Sequence, residues 1–244
     1  MANLMFNGQL LPCKVEHFPA IRKPARKFTK YNVPGRNGDI IVPQNAWENI
    51  VVSYDVYAGD PDNTPLQDIW NSIADILYQP GYCVLEDDYD LDIFREGVFM
   101  GGIEAENSWN LYGRATLEFD CKPQKWLRTG QDWKTINPGG TDYIWNTTHY
   151  DAKPLIYVKM TPNSGGSGTV IVGDKTLTIT DLVGQFVYLD CDSQDAYYGT
   201  SNLNGCVSGD YPVLSAAGEF PTSTTLNYTG DIEQCKIMPR FWKL

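Results

Sequence analysis

Histidine is scarce in this sequence, and its cysteines are not clustered. It has two histidines, His17 and His149, and six cysteines that stand apart, without a C-x-x-C pair, at positions 13, 83, 121, 191, 206 and 235. A structural zinc site needs clustered thiolate and imidazole ligands. We therefore expect no metal and no other cofactor, and we predict that the cysteines are reduced and buried as small hydrophobic residues.

Long apolar runs are missing as well. No stretch approaches the roughly 18 apolar residues of a membrane-spanning helix. The first residues, MANLMFNGQLLPCK, lack the basic start and apolar core of a signal peptide. These absences predict no membrane insertion and synthesis in a cytoplasm.

Positive charge is in short supply and unevenly placed. The net charge is −11, which argues against nucleic-acid binding because affinity for phosphates comes from lysine and arginine. Seven of the 19 basic residues nevertheless lie between Lys14 and Arg36, whereas acidic residues cluster in EDDYDLD, from Glu86 to Asp92.

One segment has clear helical periodicity. In TPLQDIWNSIADILYQPG, which predicts a helix over about residues 65–78, the apolar residues on one face are Leu66, Ile69, Trp70, Ile73, Ile76 and Leu77. Thr64 is the predicted N-cap, Pro65 the first helical residue, and Gln67 the partner in a capping box. A helix with one apolar face is expected to lie on a sheet.

Strand patterns occupy most of the remaining chain. In GRATLEFDC, for example, Ala115, Leu117 and Phe119 alternate with polar residues. After a polar, glycine-containing link, RTGQDWKTINPGG, only strand patterns follow, including LIYVKM, QFVYLDCD and two runs joined at Gly173-Asp174. We predict a mainly-β protein, with a β-rich domain carrying one helix at residues 1–132 and a β-sandwich at 133–244.

GRNG, at Gly35 to Gly38, is the main motif that needs interpretation. It has the G-x-x-G form of a KH-domain nucleic-acid loop, but that loop joins two helices. Here the neighbouring segments, KFTKYNV and DIIV, have strand character, and no G-K-[ST] follows as in a phosphate-binding loop. A tight turn between strands, with glycines at positions of positive φ, is the favoured interpretation.

Catalytic and cation sites find little support. Asp88, Asp90 and Asp92 have D-x-D-x-D spacing, but Ile93 and Phe99 stand where an EF-hand needs glycine and glutamate. A solvated acidic loop is favoured, and an unspecified cation site is the alternative. SGGSGT lacks the closing glycine of a nucleophile elbow, because Thr169 takes its place. We predict no enzymatic activity.

The order of these segments resembles the distal tail protein (Dit) family of long-tailed, siphovirus-type bacteriophages. The resemblance covers nearly the whole chain. The first half contributes VPGRNGDI, VVSYDVY, the helix, LEDDYDLDIFREGVF and FDCKPQKW. The second half contributes KPLIYVKM, LDCDSQDAYYG, GDYPVLSAAGEF and IMPRFWKL.

The resemblance implies a structural role. Residues 1–132 would close into a homohexameric ring below the tail tube protein, and residues 133–244 would form a galectin-like β-sandwich that points outward. Further partners would be the tail-associated tip protein and receptor-binding proteins of the baseplate. The protein would be made in the bacterial host cytoplasm and located at the virion tail tip.

Two further hypotheses follow from the residues. The β-sandwich half carries aromatic residues that stack on sugars in some proteins, so a carbohydrate-binding module is the alternative function: Trp133, Trp145, Tyr197 and Tyr198. The uneven charge predicts two candidate faces of a ring contact. The basic face comprises Arg22, Lys23, Arg26, Lys27, Lys30 and Arg36, and the acidic face comprises Asp87, Asp88, Asp90, Asp92 and Glu96.

Overall fold

Antiparallel strands make up most of both halves of the chain, so the predicted mainly-β class is confirmed. The structure, a computed structural model, describes residues 2–59, 64–108, 111–216 and 221–244. Its contacts divide the chain into two units. Unit 1 runs to Lys125 and takes in Leu244, and unit 2 is Trp126–Lys243. The predicted ring-forming and galectin-like roles of the two halves stay predictions.

Unit 1 is built on one antiparallel sheet with the strand order β2-β1-β7-β8-β9-β6-β3. In chain order its elements are β1 (Leu4–Phe6), β2 (Gln9–Leu10), β3 (Lys14–Val15), β4 (Arg26–Tyr31), β5 (Ile40–Trp47), β6 (Ile50–Ala58), α1 (Leu66–Leu77), β7 (Cys83–Asp87), β8 (Ile93–Phe99) and β9 (Gly113–Leu127), the last of which continues into unit 2. Strands β4 and β5 form a separate two-stranded sheet.

The long strands β6 and β9 place alternate residues in the core of unit 1. Val52 faces Phe119 and Tyr54 faces Leu117 in their register. All four of these side chains are buried, as the alternation in β9 predicts for Leu117 and Phe119. Phe119 also packs against the ring of Phe6, with 5.4 Å between the ring centroids. The strand period of two thus produces a continuous apolar layer.

Helix α1 covers this layer with the predicted face. Leu66, Ile69, Trp70, Ile73 and Leu77 are buried, and Ile76 is half-buried. The predicted start is wrong by one residue. Pro65 is the N-cap, and within the described residues no side chain caps the helix, so the capping box predicted for Thr64 and Gln67 does not form.

Strands β4 and β5 form a hairpin whose turn contains GRNG. Tyr31 pairs with Ile40, and the loop between them holds Gly35 at φ +81° and Gly38 at φ +82°. Side chains strongly disfavour this left-handed region, which explains both glycines. The Arg36 amide donates to the Val33 carbonyl at 3.1 Å and closes the turn. The predicted strand–turn–strand is therefore confirmed.

Unit 2 contains two antiparallel sheets that share one core. Its strands are β10 (Lys134–Ile136), β11 (Asp142–Asn146), β12 (Leu155–Met160), β13 (Gly168–Val172), β14 (Lys175–Ile179), β15 (Phe186–Asp190), β16 (Asp195–Tyr198), β17 (Ser201–Asn202), β18 (Val207–Gly209), β19 (Thr222–Gly230), β20 (Ile232–Met238) and β21 (Trp242–Lys243). The sheet orders are β10-β20-β12-β15-β16-β17 and β11-β19-β13-β14-β18. Gly173-Asp174 joins β13 to β14 in the predicted hairpin, since Val172 pairs with Lys175.

The core of the sandwich is formed by alternate residues of both sheets. Ile156, Val158 and Val187 from the first sheet meet Val170 and Leu177 from the second in one buried cluster. The opposite faces of these strands are therefore turned outward, and the outer face of the first sheet carries the aromatic residues described below. Within the described ranges, no helix is long and apolar enough to cross a bilayer.

Candidate interaction surfaces

Residues 26–47, which we call the hairpin arm, stand clear of the rest of the chain. Every residue from Tyr31 to Asn45 is exposed. Large apolar side chains are among them, with Ile41 at 62 % and Tyr31 at 56 % exposure. An isolated two-stranded hairpin is only marginally stable in water. Large exposed apolar patches are a feature of protein interaction sites.

The basic face predicted from the sequence lies on this arm and just before it. Arg26, Lys27 and Lys30 belong to β4, and Arg36 lies in the loop. Arg22 and Lys23 precede the arm, and the Lys23 ammonium donates to the Leu244 backbone oxygen at 2.5 Å. All six side chains are exposed, and none pairs with a carboxylate of the described residues. The set therefore extends from the segment before the arm to the loop that holds Arg36.

The acidic residues divide into two groups. Asp87 accepts a hydrogen bond from the buried Tyr54 hydroxyl at 2.7 Å and another from the Tyr89 amide at 2.9 Å. Burial, together with Asp87, raises the pKa of Tyr54 well above its usual value. Glu96 pairs with Lys122 at 2.8 Å. Asp87 and Glu96 thus have structural partners within unit 1.

The other three acidic residues are exposed on the loop between β7 and β8, which we call the acidic loop (residues 88–92). They are Asp88, Asp90 and Asp92. Asp88 accepts a hydrogen bond from the Asn3 amide at 2.9 Å and keeps an exposed side chain. No cluster of histidine, cysteine or carboxylate residues suited to a metal ion occurs within the described part of the chain. The acidic loop is therefore a charged surface.

Aromatic residues cover the outer side of the first sheet of unit 2. We call this set the aromatic face: Trp133, Tyr157, Phe186, Tyr188, Tyr197 and Tyr198. Trp133 is 39 % and Tyr198 51 % exposed. Burial, followed by the neighbouring Tyr188, raises the pKa of Tyr157, so its hydroxyl keeps its proton at neutral pH. Three of the four residues predicted as sugar-stacking candidates lie here, whereas Trp145 lies on β11 of the other sheet.

The cysteines offer no reactive thiolate in the core. All six are unpaired, as predicted. Burial raises the pKa of four of them to about 12, so these thiols stay neutral at physiological pH: Cys13, Cys121, Cys191 and Cys235. The predicted burial is confirmed for these four cysteines. Cys83 and Cys206 are only half-buried.

A groove of about 440 Å³ runs beside helix α1. Its lining includes Leu66, Trp70 and Tyr78, with Glu106 as the one carboxylate among the lining residues. A single carboxylate without a histidine, cysteine or lysine beside it supplies no general acid–base pair or activated nucleophile.

Chains of a bacteriophage baseplate are among the solved structures that this chain resembles. Chains in the phage p2 baseplate, in its activated conformation with strontium and with calcium, match with TM-scores of 0.56 and 0.54 at 8 % and 6 % identity. The match covers 97 % of each chain in both comparisons. No family model and no curated protein matches the sequence.

The particular fold is that of a distal tail protein. The crystal structure of SPP1 Dit matches with a TM-score of 0.71 at 14 % identity, over 97 % of this chain and 97 % of that one. SPP1 Dit is described as a paradigm of the hub adsorption apparatus in phages that infect Gram-positive bacteria. The resemblance to the Dit family expected from the sequence is confirmed at the level of the fold.

Proposed function

We propose that this chain is the structural hub of a long-tailed phage tail tip, where it joins the tail tube protein to the tail-associated tip protein and to baseplate or receptor-binding proteins. The observation that supports this role most strongly is the likeness to SPP1 Dit along 97 % of both chains. A match of that extent includes both units and their order.

The hub is a homohexameric ring in this proposal, and unit 1 forms it. A single head-to-tail contact that closes on itself generates a ring from identical copies. The hairpin arm supplies one side of such a contact because it is exposed and carries large apolar side chains, among them Tyr31, Ile40 and Ile41. Unit 2 provides the surface for baseplate or receptor-binding proteins in this proposal.

Opposite charges steer the proposed contact. The arm carries Arg26, Lys27 and Lys30, and the acidic loop carries Asp88, Asp90 and Asp92. Charges of opposite sign on two surfaces accelerate association more than they tighten it. Asp87 and Glu96 are left out of this contact because both are only half-exposed, whereas Asp88, Asp90 and Asp92 are exposed.

Reversing charge on the arm should slow assembly. The double variant Lys27→Glu/Lys30→Glu should form oligomers several-fold more slowly at low salt, because it removes the attraction between the arm and the acidic loop. The effect should be modest and should fade as salt is added, since each exposed ion pair contributes only about 0–1 kcal/mol and is screened by salt. Adding Asp88→Lys/Asp90→Lys in the same chain should partly restore the rate. Time-resolved light scattering after dilution from dissociating conditions measures both effects.

The matched control for this charge reversal is Lys134→Glu/Lys175→Glu, which changes the net charge equally but lies in unit 2. It should assemble at the wild-type rate. Equal slowing in the control and the arm variant would show that net charge, and not the arm, sets the rate.

The location of the protein tests the hub role itself. Gold-labelled antibodies against the full chain should bind one end of the tail, opposite the head, in virions that contain this protein. Labelling along the tube or on the head would contradict the proposal. The absence of this protein from purified virions would contradict it as well.

A further inference from the structure

Three asparagines in this chain are followed directly by glycine: Asn7, Asn37 and Asn204. Asparagine is one of the chemically labile residues of proteins. It is most labile before glycine, which has no side chain to shield its backbone nitrogen from the asparagine side chain. That nitrogen can attack the side-chain amide carbon. The local sequence makes the three sites alike, so the structure decides which of them reacts.

The reaction closes a five-membered imide ring, which consists of the asparagine Cα, Cβ, Cγ and backbone carbon and the glycine nitrogen. Because this ring is nearly flat, the asparagine must rotate about its Cα–C bond until Cβ and the glycine nitrogen are nearly eclipsed. The side-chain amide must also turn toward that nitrogen. Contacts that resist either rotation slow the reaction, because the chain must first open locally.

Space and solvent access do not separate the three sites. A Cβ atom added to Gly8, Gly38 or Gly205 would meet no atom of the described residues within 4 Å. The preceding asparagines are all exposed, so water reaches each of them. The difference therefore comes from the contacts that each asparagine makes.

The side chain of Asn204 is held by two hydrogen bonds. Its Oδ1 accepts from the Ala196 amide at 2.5 Å, and its Nδ2 donates to Asp195 Oδ1 at 3.0 Å. Its backbone amide donates to the side chain of Asn202 at 2.9 Å. A turn of the side-chain amide would break the first two bonds at once, so this site is protected.

The backbone of Asn7 is fixed in a tight hairpin. Asn7 and Gly8 form the turn between β1 and β2, since Phe6 pairs with Gln9. Their φ angles are 52° and 73°, and two positive values are what a type I′ turn requires. The Asn7 amide also donates to the Val84 carbonyl at 2.9 Å, which ties the turn to β7. Rotation about the Cα–C bond of Asn7 would disrupt this pairing.

Asn37 has neither restraint. It lies in the loop that joins β4 to β5, and its side chain makes no hydrogen bond to any of the described residues. The same holds for the nitrogen of Gly38, whose φ is +82°. Asn32 Nδ2 donates to Asp39 Oδ1 at 3.4 Å across the base of the loop, and this contact leaves the Asn37-Gly38 pair out.

We propose that Asn37 is a site of spontaneous covalent modification, at which the Gly38 nitrogen attacks Asn37 Cγ. A C–N bond forms between these two atoms as the bond from Cγ to the side-chain nitrogen breaks. The side-chain nitrogen takes up the Gly38 amide proton and leaves as ammonia. Water then opens the imide at either carbonyl and gives aspartate or isoaspartate. The reaction is faster at higher pH, because the glycine nitrogen attacks after losing its proton.

Each modified copy gains one negative charge next to Arg36 on the hairpin arm. In the isoaspartate product the main chain also passes through the former side-chain methylene, so the loop becomes longer by one atom. The modification therefore reduces the positive charge of the basic face and alters the turn. This site goes beyond the hub function and does not depend on it.

Incubation of the purified full-length chain in mildly alkaline buffer tests the proposal. After digestion with pepsin at acidic pH, mass spectrometry should show the mass gain of deamidation first in the peptide that contains Asn37. Asn7 and Asn204 should react at least about tenfold more slowly, since each must first open locally. Asn37→Gln would have to close a less favourable six-membered ring. This variant should lose the rapid reaction and leave the other two sites unchanged.

The unfolded chain is the internal control. In denaturant the three sites should react at similar rates, because only the following glycine matters there. Equal rates in the folded chain, or a faster reaction at Asn7 or Asn204, would overturn the proposal.

A chain that does not assemble shows whether an oligomer covers the site. Ile41→Asp places a charge among the apolar side chains of the arm and should weaken assembly. Slow reaction at Asn37 in a wild-type oligomer, with rapid reaction in Ile41→Asp, would support the site and show that assembly protects it. Slow reaction in both proteins would overturn the proposal and leave the hub function untouched, because ring formation is scored separately.

Discussion

Removal of the hairpin arm should leave a folded chain that no longer assembles. The ends of the arm already meet: Arg26 pairs with Trp47, and the Glu48 amide donates to the Ala25 carbonyl at 2.9 Å. Residues 26–47 can therefore be replaced by a short Asn-Gly turn without separating β3 from β6. Because the arm contributes almost nothing to the buried core of unit 1, the melting temperature should change little while the oligomer is lost.

Sedimentation velocity together with a thermal melt separates these two effects. A point variant, Ile41→Asp, should weaken assembly in the same direction, since this side chain is 62 % exposed on the arm. Val213→Asp is its control, because Val213 is 41 % exposed in unit 2. An armless chain that still forms a wild-type oligomer would show that the arm is not part of the contact.

Truncation of Trp70, on the buried face of helix α1, should strongly lower the free energy of unfolding. Trp70 is 9 % exposed and packs against the sheet of unit 1, so Trp70→Ala should cost about 3–5 kcal/mol of unfolding free energy. Its indole nitrogen has no partner among the described residues, so the loss comes from packing and not from a hydrogen bond. We expect a melting temperature lower by roughly ten degrees, or insoluble protein.

Chemical denaturation followed by circular dichroism measures the cost of this truncation. Asp75→Ala, at an exposed position on the same helix, should stay within about 0.5 kcal/mol of the wild type. Wild-type stability in Trp70→Ala would mean that the helix face does not support the core.

The sequence predicted the elements whose pattern directly reflects burial. The apolar positions of α1 and the alternation in β9 identify the residues that lie in the core, because periods of 3.6 and 2 correspond to faces of a helix and a strand. The helix start was missed because Thr64 and Gln67 fit a capping box, yet the helix begins only after Pro65. The sequence alone does not show which of the residues before a helix occupies the N-cap position.

The exposure of the hairpin arm was not predictable from its residues. Ile40, Ile41 and Val42 have the composition of a buried strand, and a sequence does not distinguish burial within the chain from burial against another chain. The basic residues are close in sequence, so their location on the arm and just before it depends on no distant strand pairing. The contacts of Asp87 with Tyr54 and of Glu96 with Lys122 could not be predicted from the acidic run, because Tyr54 and Lys122 come from strands that are distant in sequence.

The sequence shows aromatic residues at alternate positions of two strands, but only the strand register shows that they form one face. Tyr157 in LIYVKM and Tyr188 in QFVYLDCD occupy the positions that alternate with buried residues. Such positions are normally polar in an antiparallel sheet, so aromatic residues there depart from the usual pattern. Which of these rings lie side by side depends on pairing between strands that are distant in sequence.

Single-particle electron microscopy of the purified full-length chain, with native mass spectrometry on the same sample, tests the central claim most directly. The account predicts closed rings with sixfold symmetry and a mass six times that of one chain, formed without ligand or other tail protein. A monomer at micromolar concentration, or an open filament, would contradict it.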